Sequence, residues 1–359
     1  MGPKRLGPIA LVPLLFLFSG CSKRTVAPRT ESPVVSPHTW EDLGLTQSAG
    51  DVRDLAVFGG KLYAGGWFFD AAGQIHSNLV AWDGTQWSAL GKQPNSDVEA
   101  MTLYGNELVV AGEFTHAGGD SMGYIASWDG TRWKWLGGGM DWNVYAVTVY
   151  DGDLVAAGDF LHAGGVPASK IARWDGTAWH PLGSGLDRPV LALAVYQGRL
   201  IAGGSIRRAG NADVRFVAQW DGSSWNPVGT GFNGVVTALG VHRDTLVAGG
   251  YFREAGGVPA RHVACWTGAA WDSIGTGLGL YDNENVEALV TFDDQLVVGG
   301  WFTDNGLYTS RWKAGLWFPM GSLDGGVHAF AVYQGKLIAG GVFRNDRVSG
   351  PNVIARWRE

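Results

Sequence analysis

The chain has 359 residues, among them 56 glycines, 18 tryptophans and two cysteines. Its formal net charge of −6 argues against nucleic acid as a partner, because surfaces that bind nucleic acid are basic. The length would allow two domains, but the glycines recur at fixed positions of a repeat, so they are turn and close-packing residues and not a low-complexity tract.

Residues 1–20 are predicted to be a signal peptide. Lys4 and Arg5 precede an apolar stretch over residues 9–18, and two small residues follow it. The apolar stretch has about ten residues, whereas a transmembrane helix needs about 20. We therefore expect an exported protein without a membrane-spanning segment at this end.

The segment Phe18-Ser19-Gly20-Cys21 resembles the bacterial lipobox, whose cysteine is lipidated and becomes the mature N-terminus. The resemblance implies a lipid anchor on Cys21. Ser22 follows it where Asp would suggest retention at the inner membrane, so the resemblance implies placement at the outer membrane or cell surface. The alternative is ordinary signal cleavage with an incidental cysteine. The remainder of residues 21–38 is rich in Pro, Ser and Thr and is predicted to be a flexible tether.

A repeat of about 46 residues fills the remaining chain, residues 39–359. Its first marker is the Trp of a Trp-Asp-Gly step, found at Trp82, Trp128, Trp174, Trp220, Trp266, Trp312 and Trp357. A second marker is the opening Val of a strand, found at Val52, Val98, Val144, Val190, Val236, Val286 and Val327. A third marker, Trp-x-x-apolar-Gly, occurs at Trp87, Trp133, Trp179, Trp225, Trp271 and Trp317, and its seventh copy is Trp40.

Each repeat contains four short runs with the composition of β-strands, which we label a to d. In the second repeat they cover residues 98–104, 107–114, 124–128 and 131–136. Between c and d, Asp129-Gly130 predicts a two-residue type I′ hairpin, which would set Ala126 opposite Trp133 with Trp128 diagonal to it. Four antiparallel strands in every repeat are typical of a β-propeller blade.

The sequence therefore predicts an all-β fold, a seven-bladed β-propeller. The last repeat ends after strand c, and residues 40–44 form a d strand with no repeat in front of it. Pairing these two segments would complete the last blade from both ends of the chain and remove two exposed sheet edges.

The repeats resemble those of bacterial secreted propellers of kelch or galactose-oxidase-like character. The resemblance rests on an aromatic residue and a later Trp after paired glycines at the end of strand b: Gly65-Gly66, Gly203-Gly204, Gly249-Gly250, Gly299-Gly300 and Gly340-Gly341. The Leu-x-x-Gly-Gly-x-Phe core is also similar to repeats of fungal cortical polarity markers. The chain departs from kelch repeats in its Trp-to-Trp step of five residues. Galactose oxidase activity is not implied, because no partners of a Cys-linked Tyr and copper site are recognisable.

Candidate binding residues lie in the b–c loops, which share one rim of a propeller with the d–a loops. The residues directly after the paired glycines are Trp67, Glu113, Asp159, Ser205, Tyr251, Trp301 and Val342. Three residues further on lie Asp70, His116, His162, Arg208, Glu254, Asp304 and Asn345. We expect these residues to surround the mouth of the central channel, where aromatic rings and polar groups suit a sugar or peptide. The alternative is that they are solvated loop residues.

The sixth blade breaks the pattern, with four residues inserted before strand a around Asp282 and four removed from its b–c loop. Both changes fall on the same rim, where such asymmetry could confer specificity or be neutral drift. A further alternative is that the pairs Glu113 with His116 and Asp159 with His162, on neighbouring blades, bind a divalent metal.

The leading interpretation is a lipid-anchored binding or scaffold protein of the cell envelope that recognises a protein or glycan. We expect a monomer that contacts the membrane through its lipid alone and carries no cofactor or metal. No catalytic motif is present. An enzyme acting on polysaccharide through rim carboxylates, with Asp70 and Glu254 as candidates, is an alternative, and a non-binding structural spacer is another.

Overall fold

The computed structural model describes residues 39–45, 49–69, 75–304, 307–321, 323–343 and 352–358. These ranges form β-strands and turns without helices, arranged as seven four-stranded antiparallel sheets in a β-propeller. The predicted fold class is confirmed. Within the same ranges no helix is long and apolar enough to cross a membrane. Cys21 and the predicted signal peptide and tether lie outside the described residues.

Strand a of each blade is innermost, since neighbouring a strands contact one another around the whole ring. The a strands are Ala49–Phe58, Val98–Tyr104, Val144–Tyr150, Val190–Tyr196, Val236–His242, Asn285–Phe292 and Gly326–Tyr333. The b strands are Lys61–Phe69, Glu107–Gly112, Asp153–Gly158, Arg199–Gly204, Thr245–Gly250, Gln295–Asp304 and Lys336–Phe343.

The two outer strands of each blade are shorter. The c strands are Ile75–Trp82, Ile125–Trp128, Ile171–Trp174, Val217–Trp220, Val263–Trp266, Leu307–Lys313 and Asn352–Arg358. The d strands are Trp87–Ala89, Trp133–Trp135, Trp179–Pro181, Trp225–Pro227, Trp271–Ser273, Leu316–Pro319 and Thr39–Asp42.

Blades 2 to 5 each add a small hairpin in the b–c loop, which the sequence did not predict. The hairpins pair His116–Ala117 with Asp120–Ser121, His162–Ala163 with Val166–Pro167, Arg208–Ala209 with Ala212–Asp213, and Glu254–Ala255 with Val258–Pro259. Backbone bridges join three of them to d–a loops: Met140 to Ala163, Leu186 to Ala209, and Phe232 to Ala255. The b–c and d–a loops therefore form one rim, as expected, and we call it the loop rim.

Blade 7 is completed by the N-terminal strand, as predicted. Trp40 lies opposite Trp357 in the antiparallel pair, and the two rings pack edge to face with centroids 5.1 Å apart. The Glu41 carboxylate pairs with the guanidinium groups of Arg356 and Arg358. The ring is thus closed by residues from both ends of the propeller.

Each Trp that opens a d strand joins its blade to the preceding one. The Trp179 indole N–H, for example, donates to the Leu136 carbonyl of blade 2 at 2.7 Å. Trp40 makes the equivalent bond to the Met320 carbonyl at 2.8 Å and so joins blade 7 to blade 6. The same bond occurs at Trp87, Trp133, Trp225, Trp271 and Trp317.

The predicted two-residue c–d hairpin is wrong. Trp128 lies directly opposite Trp133, so Ala126 faces Trp135 and four residues form the loop. Gly130 has φ 98°, but Asp129 does not have the positive φ that a type I′ turn requires. Instead the Asp129 carboxylate accepts hydrogen bonds from the Thr131 and Arg132 amides, an Asx-type cap that favours the longer loop.

Candidate functional site

The a strand of every blade carries a bulge at the residue after its opening Val, where the register with strand b shifts. Bulges redirect side chains and are common beside functional sites. The seven bulged residues all line one cavity of about 320 Å³ in the central channel. They are Arg53, Glu99, Tyr145, Leu191, Thr237, Glu287 and His328, and we call them the channel ring.

Glycine at the end of strand b makes room for this bulge. A Cβ on Gly112 would lie 2.1 Å from the carbonyl oxygen of Asp97, and the equivalent contact recurs in the other blades. The glycine before it often serves packing between blades, since a Cβ on Gly65 would lie 2.4 Å from Val98 of the next blade. The paired glycines that were noted as a repeat marker therefore position the channel ring.

One sector of the ring is built around a buried carboxylate. Asp51 is 2% exposed and pairs with Arg53 (Nε to Oδ2, 2.8 Å) and with His328 (Nδ1 to Oδ1, 2.7 Å). His328 Nε2 lies 3.1 Å from a Glu287 carboxylate oxygen and accepts a hydrogen bond from the Trp301 indole at 3.0 Å. This network joins blades 6, 7 and 1 and fixes the orientation of their channel residues.

The next sector, on blade 2, is acidic. Burial, together with the nearby carboxylates of Glu113, Asp97 and Asp51, raises the pKa of Glu99 to about 7, although Arg53 opposes this shift. Burial and the Glu113 carboxylate also raise the pKa of Asp97. Both shifts have the same cause, which is negative charge held in a partly desolvated channel.

A third part of the cavity wall is apolar. Leu191, Leu193, Val147 and Ala146 line it on blades 3 and 4. Tyr145 lies between the two kinds of wall, and its hydroxyl is 3.3 Å from the Asn143 amide nitrogen. The channel therefore presents charge on one side and hydrocarbon on the other.

The first predicted set, directly after strand b, lies at the mouth of this channel. Glu113 accepts a hydrogen bond from the Asn143 side chain at 2.9 Å, and Asp159 pairs with Lys170 at 2.6 Å. Trp301 is 40% exposed and lies over Gly326, where any Cβ would clash with its ring. Tyr251 is exposed beside Glu287, whose charge adds to burial in raising the tyrosine pKa. Trp67 is half-buried opposite Asp51.

The second predicted set lies away from the channel, at the starts of the small hairpins. His116, His162, Arg208 and Glu254 are exposed there. His162 pairs with Asp141 at 2.7 Å, and Arg208 with Asp213 at 3.6 Å. The hairpins of blades 3 to 5 contact the outer d strands, so His162, Arg208 and Glu254 do not join the channel ring.

Side chains in the d–a loops hold the hairpins in place, and the sequence analysis missed them. In blade 3, Asp141 Oδ1 accepts the amides of Leu161 and His162 at 2.8 and 2.9 Å. The equivalent acceptors are Asn95, Asp187 and Asn233. In the sequence, these acceptors could have been recognised from an Asn or Asp three residues before the opening Val in four consecutive blades.

The insertion of blade 6 replaces this cap with a longer side chain. Glu284 is 5% exposed and accepts hydrogen bonds from the Thr303 amide and hydroxyl at 2.8 and 2.7 Å, and from the Tyr281 amide at 2.6 Å. Asp282 is exposed and forms an ion pair with Arg253. The Glu284 carboxylate thus fixes the conformation of the insertion, next to Trp301.

Asp70 lies outside the described residues, and of Asp304 only its place at the end of a b strand is described. Among the residues that are described, no group of three or more His, Cys, Asp or Glu side chains is arranged to hold a metal ion. The suggested metal pairs have other contacts instead: Glu113 with Asn143, and Asp159 with Lys170.

The sequence analysis also missed the channel ring itself. Its signal was variation at the residue after the opening Val, which is Arg, Glu, Tyr, Leu, Thr, Glu and His in successive blades and is followed by Ala in all but the first. Trp142 was missed as well. It is 54% exposed in a d–a loop and packs against Tyr124 with ring centroids 6.4 Å apart.

Comparisons with known proteins support the fold. No family model matches the sequence, and no curated protein matches it. The extracellular domain of a hybrid two-component system from B. thetaiotaomicron is similar with a TM-score of 0.60 at 9% identity over 89% of this chain, which spans 39% of that one. A chain of a mitotic checkpoint complex gives 0.58 at 16% identity, covering 94% and 98% of the two chains. The computationally designed Ika8 protein gives 0.50 at 17%, covering 89% and 98%. Identities this low show a shared fold alone.

Proposed function

We propose that this protein is a binding or scaffold protein of the bacterial cell envelope, which recognises a protein or glycan through the loop rim and the channel mouth. The fold is compatible with such a role, and one structural neighbour is a bacterial extracellular domain. Propellers host many functions, so the argument has to come from the site.

The observation that carries the proposal is the channel cavity. Its volume of about 320 Å³ lies at the lower end of the range of roughly 300–1,000 Å³ found for ligand sites. Every blade contributes one bulged side chain to it, and the lining combines charged, aromatic and apolar groups. Convergent polar groups with an apolar wall are what a site for a specific ligand requires.

A pull-down from envelope extracts and a glycan array, both with the full chain, test the proposal. We expect specific retention of a partner, reduced about tenfold or more in the variant Trp67→Ala/Trp301→Ala, because aromatic side chains in binding sites contribute strongly to affinity. Trp135→Ala is the matched control, since Trp135 is 59% exposed on a d strand, away from the channel.

Binding that the double variant retains would move the site away from the loop rim. The absence of any partner would instead favour a structural spacer, in which substitutions on the rim have no effect.

The membrane anchor is a separate part of the proposal. It rests on the lipobox-like segment that ends at Cys21. Replacing Cys21 by Ser should release the protein from the membrane fraction and abolish labelling by a fatty-acid analogue. Membrane association that survives the substitution would contradict a lipid anchor at this residue.

An envelope enzyme acting on polysaccharide is a second candidate. One observation favours it: the pKa of Glu99 is raised to about 7 while other carboxylates lie near it, and glycosidases pair a protonated with an ionised carboxyl group. Turnover on a panel of polysaccharides that is lost in Glu99→Gln would support this function. No turnover in the parent protein would exclude it for those substrates.

A further inference from the structure

The acidic sector of the channel has more negative charge than its own cations compensate. The carboxylates of Asp51, Asp97 and Glu113 lie near Glu99, and the nearby Arg53 is already paired with Asp51. In the described part of the chain no group donates a hydrogen bond to the Glu99 carboxylate, whose pKa burial and these carboxylates raise to about 7. Buried charge without a partner is costly, so a cationic group entering here would be strongly favoured.

Among these carboxylates, Glu99 itself lines the channel cavity. All seven blades contribute to its lining. On the adjacent blades 3 and 4, the wall consists of hydrocarbon from Leu191, Leu193 and Val147. The aromatic ring of Tyr145 lies next to these residues, and an aromatic face attracts cations. The cavity is therefore amphipathic and suits a ligand with a cationic end on an apolar stem.

On the basis of the proposed function, we propose that the channel mouth binds a lysine or arginine side chain presented by a protein partner. The cationic head would meet the carboxylate of Glu99, and its methylene stem would lie along the apolar wall. Lys and Arg have this construction, because a charged group ends a chain of methylenes that buries readily against hydrocarbon. A cavity of about 320 Å³ holds one such side chain and not a folded segment.

Other ligand classes match the cavity less well. An anionic group would be repelled by Glu99 in the lining and by the carboxylates near it. An amino sugar carries hydroxyl groups around its ring, and Leu191, Leu193 and Val147 offer no side-chain hydrogen-bond partners to those on the apolar side. The apolar wall therefore favours a polypeptide over a glycan as the source of the cation.

Calorimetric titration of the full chain at low ionic strength tests this inference. The probes are short peptides with one central lysine or arginine between glycines, the same peptide with acetyl-lysine, and a glucosamine oligomer. We expect the cationic peptides to bind and the acetyl-lysine peptide to bind at least about tenfold more weakly, since a charged hydrogen bond is worth roughly 1.5–3 kcal/mol.

Glu99→Gln should weaken binding of the cationic peptides by a similar factor. Asp213→Asn is the matched control, because it removes one negative charge from an exposed hairpin of the same rim and should leave affinity within about twofold. Affinity in the parent should rise as the pH increases through 7, as Glu99 ionises. The titratable and charged groups near Glu99 are Arg53, Asp51, Asp54, Asp97, Glu113 and Tyr145, and the pKa of Asp54 is also raised to about 7.

Equal binding of lysine and acetyl-lysine peptides, or binding unchanged in a folded Glu99→Gln protein, would overturn the inference. So would binding of the glucosamine oligomer in place of the peptides, or failure of both cationic peptides to bind at millimolar concentration. The proposed function would survive each of these results if the rim variant still lost its partner in the pull-down. If the peptide results contradict the inference and the rim variant also keeps its partner, the inference and the proposed function are both rejected.

Discussion

At the scale of single residues, one motif connects the repeat to the site. The opening Val is buried against the preceding blade, an Ala is buried two positions later in blades 2 to 7, and the residue between them is bulged into the channel. The opening Val is thus constant and the Ala nearly so, with Asp54 in its place in blade 1, while the residue between them varies. Glu99 and Arg53 occupy the same position of this motif in neighbouring blades.

The bulge leads to a prediction for Gly112, the glycine opposite it at the end of strand b. Gly112→Ala would place a Cβ 2.1 Å from the backbone oxygen of Asp97, which cannot move without opening the bulge. We expect a loss of about 2–3 kcal/mol in the free energy of unfolding, measured by urea denaturation. Gly240→Ala is the control, because its Cβ would meet nothing closer than Leu289 Cβ at 3.5 Å. Equal effects of the two substitutions would argue against the bulge.

Two channel carboxyl groups predict how stability depends on pH. Burial raises the pKa of Asp54 and Glu99 to about 7, so between their ordinary values and pH 7 the folded state binds protons that the unfolded state has released. The free energy of unfolding should therefore decrease as the pH rises from about 5 to 7. Glu99→Gln should flatten this slope and stabilise the protein at pH 7.5. A slope unchanged in this variant would contradict the assignment.

At low pH the carboxylate of Asp83, in a c–d turn, has the opposite effect on the free energy of unfolding. Hydrogen bonds from Thr85 and Gln86 lower the pKa of Asp83 to about 2, and its contribution is present above its ordinary value near 4 and lost as the pH falls towards 2. Stability should thus be greatest in weakly acidic solution.

At the scale of elements, the N-terminal d strand decides whether the ring is closed. Trp40 is 3% exposed and donates a hydrogen bond to the Met320 carbonyl of blade 6. It also packs against Trp357 of its own blade, so one side chain joins three parts of the structure.

We predict that Trp40→Ala lowers the free energy of unfolding by about 3–5 kcal/mol, the usual cost of truncating a buried aromatic residue. Urea denaturation measures it, and Trp135→Ala, which truncates an exposed Trp, should change stability by less than about 1 kcal/mol. Similar small losses in both variants would mean that closure by this strand contributes little.

The elements were largely predictable from the sequence, and their connections were not. The spacing of Trp and Val gave seven blades and the strand that closes them, because the same packing contacts recur in every repeat. The c–d turn was predicted wrongly, since the Asp129 side chain caps a four-residue loop. The hairpins that carry His116 and His162 were missed because two-residue strands leave no periodic pattern.

The candidate site was predicted only in part, for a related reason. Glu113 follows strand b and Trp301 lies within it, and they contact Asn143 and the channel-ring residue His328 at the channel mouth. The channel ring was overlooked because a residue inside a strand is normally assigned to one face or the other, and a bulge breaks that alternation. In the sequence, the channel ring was indicated by variation at the residue that follows the constant opening Val.

At the scale of the whole molecule, seven similar blades enclose an asymmetric channel. Blades 6, 7, 1 and 2 contribute ionisable groups to the ring, whereas blade 4 contributes Leu191. The insertion of blade 6 adds asymmetry to the same rim through Glu284 and Asp282. A ring that served only as a spacer would have no need for charge concentrated on one side of its channel.

The central claim is that a partner binds at the channel mouth, and site-specific photo-crosslinking in the native envelope tests it most directly. A photoreactive phenylalanine replaces Tyr145 in the channel ring or, as the control, Trp135 on the outer strand of blade 2. The account predicts a discrete crosslinked product from position 145 and none from position 135. A product from position 135 alone, or none from position 145 while the pull-down still retains a partner, would contradict it.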